Sequence, residues 1–393
     1  LNNRCTTMTQ NTLPAIQYKD PKKYMWLLSV IAPFGAPLGP IMYMYTGHTQ
    51  WLWAFLAFFY LGLPILDYMF GEDKQNPPEQ AVPELEDTRY YRVITYLLVP
   101  IITFGFLFNV IFLATHDLHW LHWLAVAITT GSLLGFGLNL GHEMGHKKRK
   151  LDKALALFTL SLGGYGHFSI EHNRGHHRDV ATPEDPATSR MGEHIYEFML
   201  REIPGAFKRA WKLEGERLER AGKSRWNVGN EMLQAGAMTL VLYTALIAIF
   251  GLPMVPVLAV VAFWGAFQLT SANYIEHYGL MRQKLPNGEY ERCAPHHSWN
   301  SNHLVSNLVV FQLQRHSDHH ANPARSYQSL RDFPELPSLP SGYFGMFLVA
   351  YVPPLWFAVM NPRLLEVAGK NAQKINIHPR KRERVIRRYS LAV

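Results

Sequence analysis

Cysteine is almost missing from this chain: Cys5 and Cys293 are the only two in 393 residues. Two thiols so far apart exclude a disulfide framework and a thiolate metal site, so any bound metal must be held by histidine. Charge is scarce as well, at 17% Asp, Glu, Lys and Arg against roughly a quarter in soluble domains. Several long apolar blocks contain no Lys or Arg at all. There is no flavin fingerprint and no Cys-x-x-Cys pair, so the chain carries no electron-transfer centre of its own. Residues 1–24 lack the apolar core and small-residue cleavage site of a secretory signal. Internal repeats and low-complexity tracts are absent too.

What the chain has instead is 48% apolar and 13% aromatic residues, gathered into six stretches of about 20 residues, the length that crosses a bilayer as a helix. They fall at 25–46, 51–70, 93–114, 120–141, 232–251 and 255–274. The connections near 47–50, 115–119 and 252–254 are short and contain none of the 38 basic residues. By the positive-inside rule the opposite side is the cytoplasm, with both chain ends on it. Two further apolar segments, 154–170 and 343–360, are interrupted by Gly163-Gly164-Tyr165-Gly166 and by Pro353-Pro354. A crossing by the second would carry the basic tail from Arg363 to Arg388 to the outer face. Both are therefore expected to be docked or re-entrant. The expected architecture is an all-α integral membrane protein of six transmembrane helices with a cytoplasmic cap from 171–230 and 282–342. Its divisions are a cytoplasmic segment 1–24, a membrane domain 25–362 and a basic tail 363–393. The net charge of +8 suits a membrane surface or an acidic partner and, with these apolar blocks, not nucleic acid.

Nineteen histidines occur, and nine form four tight groups: His142 with His146; His172, His176 and His177; His277; and His316, His319 and His320. All four groups fall on the expected cytoplasmic side. Residues four apart share a helix face, so His142 and His146 aim two imidazoles at one point. His172 with His176, and His316 with His319 or His320, are expected to do the same, while each adjacent pair offers a second direction. Nine imidazoles exceed the shell of one ion, which favours two metals. A single zinc would use three or four of them, whereas sites of four and five nitrogens with room for O₂ suit iron. Glu143, Glu171, Glu276 and Asp318 each adjoin a candidate ligand and are expected to accept the other imidazole N–H. His116, His119 and His122 lie on the outer side by parity, and His48, His194 and His378 read as ordinary interfacial residues. His167, His296, His297 and His303 are nearer the groups but isolated from them by spacing.

The motifs themselves are His-Glu-Met-Gly-His-Lys at 142–147, Glu-His-Asn-Arg-Gly-His-His at 171–177, Asn-Tyr-Ile-Glu-His-Tyr-Gly at 273–279 and Leu-Gln-Arg-His-Ser-Asp-His-His-Ala at 313–321. With these, and with Phe70-Gly71-Glu72-Asp73 and Asp185-Pro186-Ala187-Thr188-Ser189-Arg190, the chain resembles the membrane-bound alkane 1-monooxygenases, the alkane hydroxylase AlkB group. The resemblance runs from about Lys22 to Asn361. Histidine boxes alone mark the wider histidine-rich desaturase and hydroxylase superfamily; the last two motifs narrow it to alkane hydroxylases and relatives acting on xylene-like substrates. The resemblance implies that all nine histidines are iron ligands. It also implies terminal hydroxylation of medium-chain n-alkanes by O₂ at two irons, in a bacterial-type inner membrane. Electrons would come from rubredoxin, itself served by a rubredoxin reductase.

An unactivated methyl group has no polar handle, so a metal cofactor must carry the hard step. Alkane partitions into lipid, and a narrow channel between spans would favour the chain end. Phe55 and Phe59, at i and i+4, offer an aromatic face for it, although ordinary lipid-facing or packing aromatics explain them more readily; Leu138 and Asn139 lie one turn before His142. Lys147, Lys148, Arg149 and Lys150 with Arg174 and Arg178 form a basic face suited to an acidic donor, though positive-inside topology accounts for the same charges. Four rivals remain. A membrane zinc protease would use His142-Glu143-x-x-His146 and leave seven clustered histidines idle, and a metal transporter would place histidines within spans on both sides. A xylene-type hydroxylase or a fatty acyl desaturase would share the histidines.

Overall fold

The computed structural model describes residues 18–393, so most of the expected segment 1–24 lies outside the described residues. Among these the chain is helical, with isolated bridges and no β-strand. In chain order, α1 is Met25–Phe34, α2 Leu38–Thr46, α3 Thr49–Phe70, α4 Arg89–Thr115 and α5 Trp120–Gly145. They are followed by α6 Lys150–Leu162, α7 Ile195–Arg220, α8 Glu231–Phe250, α9 Met254–His277, α10 Tyr343–Tyr351, α11 Pro353–Val367 and α12 Arg382–Tyr389. Five of these, α3, α4, α5, α8 and α9, are long and apolar enough to cross a membrane, or seven if the bent pairs α1–α2 and α10–α11 each count as one.

The bends have local causes. Pro33 and Pro37 flank the α1–α2 break of 50°, where a missing N–H and a ring clash interrupt the hydrogen-bond ladder. Val352, held by Pro353 behind it, leaves the helical region at φ −113°, ψ 89°, as a residue before proline tends to do. There the chain doubles back by 120°. In α3, a π-helical turn at Phe58–Gly62 interrupts an otherwise regular helix.

Helix α5 is the centre of the bundle, packed against α4, α6 and α9. Of its apolar window 83% is buried, against 11% for α8, which leaves most of α8 exposed. Glycine makes the α5–α9 contact possible. A Cβ on Gly131 would stand 2.6 Å from Trp264 Cβ and 2.9 Å from the Val261 carbonyl, and one on Gly135 2.9 Å from Gln268 Cβ. Small residues let two helix backbones approach where lipid offers no hydrophobic drive. The same approach sets the last turns of the two helices, with their histidines, side by side.

Beyond those ends the irregular segments are pinned by buried polar groups. Arg315, 2% exposed, donates to the carbonyls of Leu330 at 2.8 Å and Asp73 at 2.7 Å, which holds the following helix His316–Ala321 against the turn after α3. Residues 363–393 are packed: α11 continues to Val367, and Ile375, Ile377, Val385 and Leu391 are buried. The bridges Leu280↔Ile375 and Met191↔Ile377 draw this segment beneath the end of α9.

Gly131→Leu is expected to force α5 from α9 and cost about 1–3 kcal/mol, the usual size of overpacking, seen as a lower melting temperature of the detergent-purified protein. Gly236→Leu, on the exposed side of α8 where a Cβ meets nothing within 4 Å, should leave the melting curve in place.

Candidate metal centre

The nine clustered histidines meet in two groups whose donor atoms lie within 4.8 Å of one another: His142, His146, His172, His177 and His319; and His176, His277, His316 and His320. Seven of the nine side chains are buried, with His146 and His177 only partly so. Helix α5 supplies His142 and His146 one turn apart, and α9 ends on His277. The two adjacent pairs, His176–His177 and His319–His320, each divide between the groups, because successive side chains on a helix point about 100° apart.

One expected pairing is corrected. His172 and His176 do not share a target, because the backbone from His172 to His176 forms a π-helical turn. Such a turn brings residues five apart into line instead of four. His172 Nε2 therefore stands 3.0 Å from His177 Nε2, and His176 is delivered to the other group. In the last motif His316 and His320 do share a face, with Nε2 atoms 2.9 Å apart, while His319 turns to His142 at 2.8 Å and His177 at 3.1 Å.

These separations fit metal ions. Neighbouring ligands of one ion, each bound at about 2.1 Å, stand about 3 Å apart. Burial holds His172, His177, His316, His319 and His320 well below the ordinary imidazole range, so each keeps a free lone pair. Buried ring nitrogens without a hydrogen-bond partner include His146 Nε2 and His176 Nε2, which a cation at each focus would satisfy.

The carboxylates around the centre are arranged differently from their order in the chain. Glu276 adjoins His277 in sequence, yet its carboxylate stands 3.3 Å from His316 Nε2 and accepts from Tyr343 Oη at 2.7 Å. Glu143, Glu171 and Asp318 do not receive an imidazole N–H. Glu143 pairs with Lys147 at 2.8 Å, Glu171 accepts from Arg209 Nε at 2.8 Å, and Asp318 pairs with Arg325 at 3.1 Å. The cause is again the angle between consecutive side chains. The carboxylate that does hold a candidate ligand is Asp185, within the Asp-Pro-Ala-Thr-Ser-Arg motif, and spacing offered no reason to single it out. It stands 2.8 Å from His176 Nδ1 and also accepts from Thr188 and Arg209. Although burial opposes its charge, His176 and Arg209 hold its carboxyl well below the usual carboxylate range.

An apolar cavity of ≈ 70 Å³ ends on the centre, touching His142 and His172 of one group and His316 of the other. Phe59, Phe136 and Phe344 form its walls, with ring centroids 5.0 Å apart for Phe59–Phe136 and 5.4 Å for Phe59–Phe344. Of the four residues expected along a channel, Phe59 and Asn139 line this cavity. Phe55 stacks behind Phe59 at 4.3 Å, and Leu138 packs away from it with Leu160, Tyr165 and Phe168. On the basic face, Lys148, Arg149 and Lys150 are exposed. Lys147 is paired with Glu143, Arg174 with Glu214 and Glu231, and Arg178 with Asp179.

Asp185→Asn is expected to weaken metal binding by roughly 10- to 100-fold, the effect of losing the carboxylate behind a ligand histidine, measured by chelator competition on purified protein.

The family model described as fatty acid desaturase matches residues 118–349. Alkane 1-monooxygenase 1 of Alcanivorax borkumensis is 54% identical over 366 residues, 93% of this chain and 91% of that protein. The alkane 1-monooxygenase of Ectopseudomonas oleovorans is 53% identical over 95% of this chain and 94% of its own. The hydroxylase component of xylene/toluene monooxygenase from Pseudomonas putida is 31% identical over 58% of this chain and 60% of its own. With more than half of its residues identical over nearly its full length, this chain belongs to the alkane 1-monooxygenase family of oxidoreductases, within the fatty acid desaturase family.

Proposed function

We propose that the protein hydroxylates the terminal carbon of medium-chain n-alkanes, RH + O₂ + 2 e⁻ + 2 H⁺ → ROH + H₂O, at a centre of two irons held by the nine histidines. The observation that carries this reading is the aromatic-walled cavity ending on imidazoles of both groups. His142, His146, His172, His177 and His319 would hold one ion and His176, His277, His316 and His320 the other. What bound iron supplies there is the O₂ reduction that a strong, unpolarised C–H bond requires.

The chain's own residues do the rest. The Phe59, Phe136 and Phe344 rings exclude water and leave an alkyl chain little freedom except to present its end, which lowers the entropy cost of reaching the reactive geometry. Asn139 Nδ2 donates to the Val310 carbonyl at 2.8 Å and so fixes the wall beside His142. Glu276 accepts from Tyr343 Oη, which fixes its carboxylate beside His316 Nε2. Alkyl-aromatic hydroxylation is the weaker reading, because the relative named for it matches a shorter part of the chain at lower identity.

Topology supports delivery of substrate from lipid. The bent pair α1–α2 and the five long helices make six spans, with α6 and the doubled-back α10–α11 docked beside the cap that carries the histidines. The turns between paired spans, 47–48, 116–119 and 251–253, contain no Lys or Arg. The histidine end and both termini then face the cytoplasm of a bacterial-type inner membrane. Electrons come from an acidic donor of the rubredoxin type, served by its reductase and steered by the exposed Lys148, Arg149 and Lys150.

Elemental analysis should find two irons per chain, and octane or dodecane should yield the 1-alkanol under O₂ with rubredoxin and its reductase; one zinc without oxygenation points to a hydrolase, and an alkene product to a desaturase. Phe59→Ala should lengthen the cavity and raise turnover of hexadecane relative to octane by about tenfold or more, the size of discrimination that pocket volume provides, measured by gas chromatography of a mixed-alkane assay.

A further inference from the structure

Glu202 is a buried carboxyl that the reading above leaves without a task. It lies on α7, is 2% exposed, and pairs with no Lys, Arg or His among the described residues. Its neighbour Arg201 turns away to Glu193 at 2.8 Å. The carboxyl instead accepts from two side chains of α9: Thr270 Oγ at 2.8 Å and Asn273 Nδ2 at 3.3 Å. Asn273 opens the Asn-Tyr-Ile-Glu-His-Tyr-Gly motif, stands one turn before His277, and lines the cavity. One carboxamide therefore separates Glu202 from the space in which substrate and O₂ would meet.

Two further buried polar groups lie near Glu202. Tyr165 Oη and His167 Nε2 are buried without hydrogen-bond partners. Their rings are 4.3 Å apart, and His167 packs against Phe207 of α7 at 5.3 Å. Phe207 is half exposed, and Tyr165 lies within electrostatic reach of Glu202. The other charged groups in reach are Glu171, which Arg209 holds, and Arg201, which Glu193 holds.

We infer that Glu202 is the proton-positioning residue of the hydroxylation, holding one of the two protons consumed per turnover beside the cavity, where the Asn273 carboxamide fixes the carboxyl by donating to it. The inference rests on the proposed alkane reading. In the balanced step a C–H bond and the O–O bond break, while C–O and O–H bonds form. An acidic one-electron iron protein supplies two electrons, and cytoplasmic water supplies two protons. Burial pushes the Glu202 carboxyl up to about 7, where a group exchanges protons with water most readily near neutral pH. It holds its proton below that value and loses it above, so wild-type kcat should fall as pH rises through 7.

Glu202→Gln keeps the shape and the contacts with Thr270 and Asn273 but carries no exchangeable acid. With melting temperature and iron content matched to wild type, kcat should drop about tenfold or more with KM little changed, as loss of a general acid requires. The alkaline limb should vanish, and hydrogen peroxide released per electron pair should rise. Glu202→Asp should restore the limb at reduced rate. A readout independent of activity is infrared titration of the metal-free protein, in which a protonated-carboxyl band should disappear near neutral pH in wild type and be missing from Glu202→Gln. If no such band is found, or if Glu202→Gln matches wild type in coupling and pH profile, the inference is overturned while alkane turnover by the wild type still stands. If the wild type makes no alkanol, the functional reading fails and this role for Glu202 fails with it.

Discussion

Nine imidazoles have to point inward at two foci, and the rest of the structure answers to that demand. Their nitrogens stand 2.8–3.2 Å apart in several pairs, a distance at which lone pairs repel unless a proton or a cation lies between them. Flexible loops cannot hold such an array, because each free side chain adds entropy that works against convergence. Histidines at the ends of α5 and α9 are placed by helices whose spacing Gly131 and Gly135 determine. The remaining groups are brought to them by segments that are short, buried and heavily bonded.

The bonding that immobilises those segments is charged. Arg209 spans Glu171 and Asp185, Arg325 reaches Asp318, and Arg315 gathers carbonyls on both sides of the His316 helix. Buried charges are costly unless fully partnered, and removing one partner is strongly destabilising. Such a framework is therefore weak evidence for stability but strong evidence for one arrangement. Glu143, Glu171 and Asp318, beside histidines in sequence, serve this framework, and Asp185, brought in from the following loop, holds the His176 ring.

The cavity shows the complementary economy. Its walls are rings from α3, α5 and α10, elements far apart in the chain, and its inner end is imidazole. An apolar substrate gains by leaving water or lipid for such a space, and its terminal carbon can be the part nearest the histidines without any polar recognition. Polar groups in the wall, Asn139 and Asn273 among them, are engaged with the protein.

Much of this was legible in the chain itself. The long apolar runs required membrane-length helices, because their backbone polar groups have no other way to be satisfied in lipid. Nearly cysteine-free composition left histidine as the expected metal donor, and nine closely spaced histidines favoured more than one ion. The motifs marked the family that comparison then showed. Tertiary structure decided what spacing could not. A π-helical turn aligned His172 with His177 and sent His176 to the other group. Asp185 became a histidine partner because a loop folded back on the helical segment that precedes it, while Glu143, Glu171 and Asp318 turned away from the centre to Lys147, Arg209 and Arg325. The cavity walls likewise appeared only on packing. Local sequence dictates hydrogen bonding within a few residues, whereas the direction of a side chain toward a distant partner depends on helix phase and on the packing of elements that meet only in the folded protein.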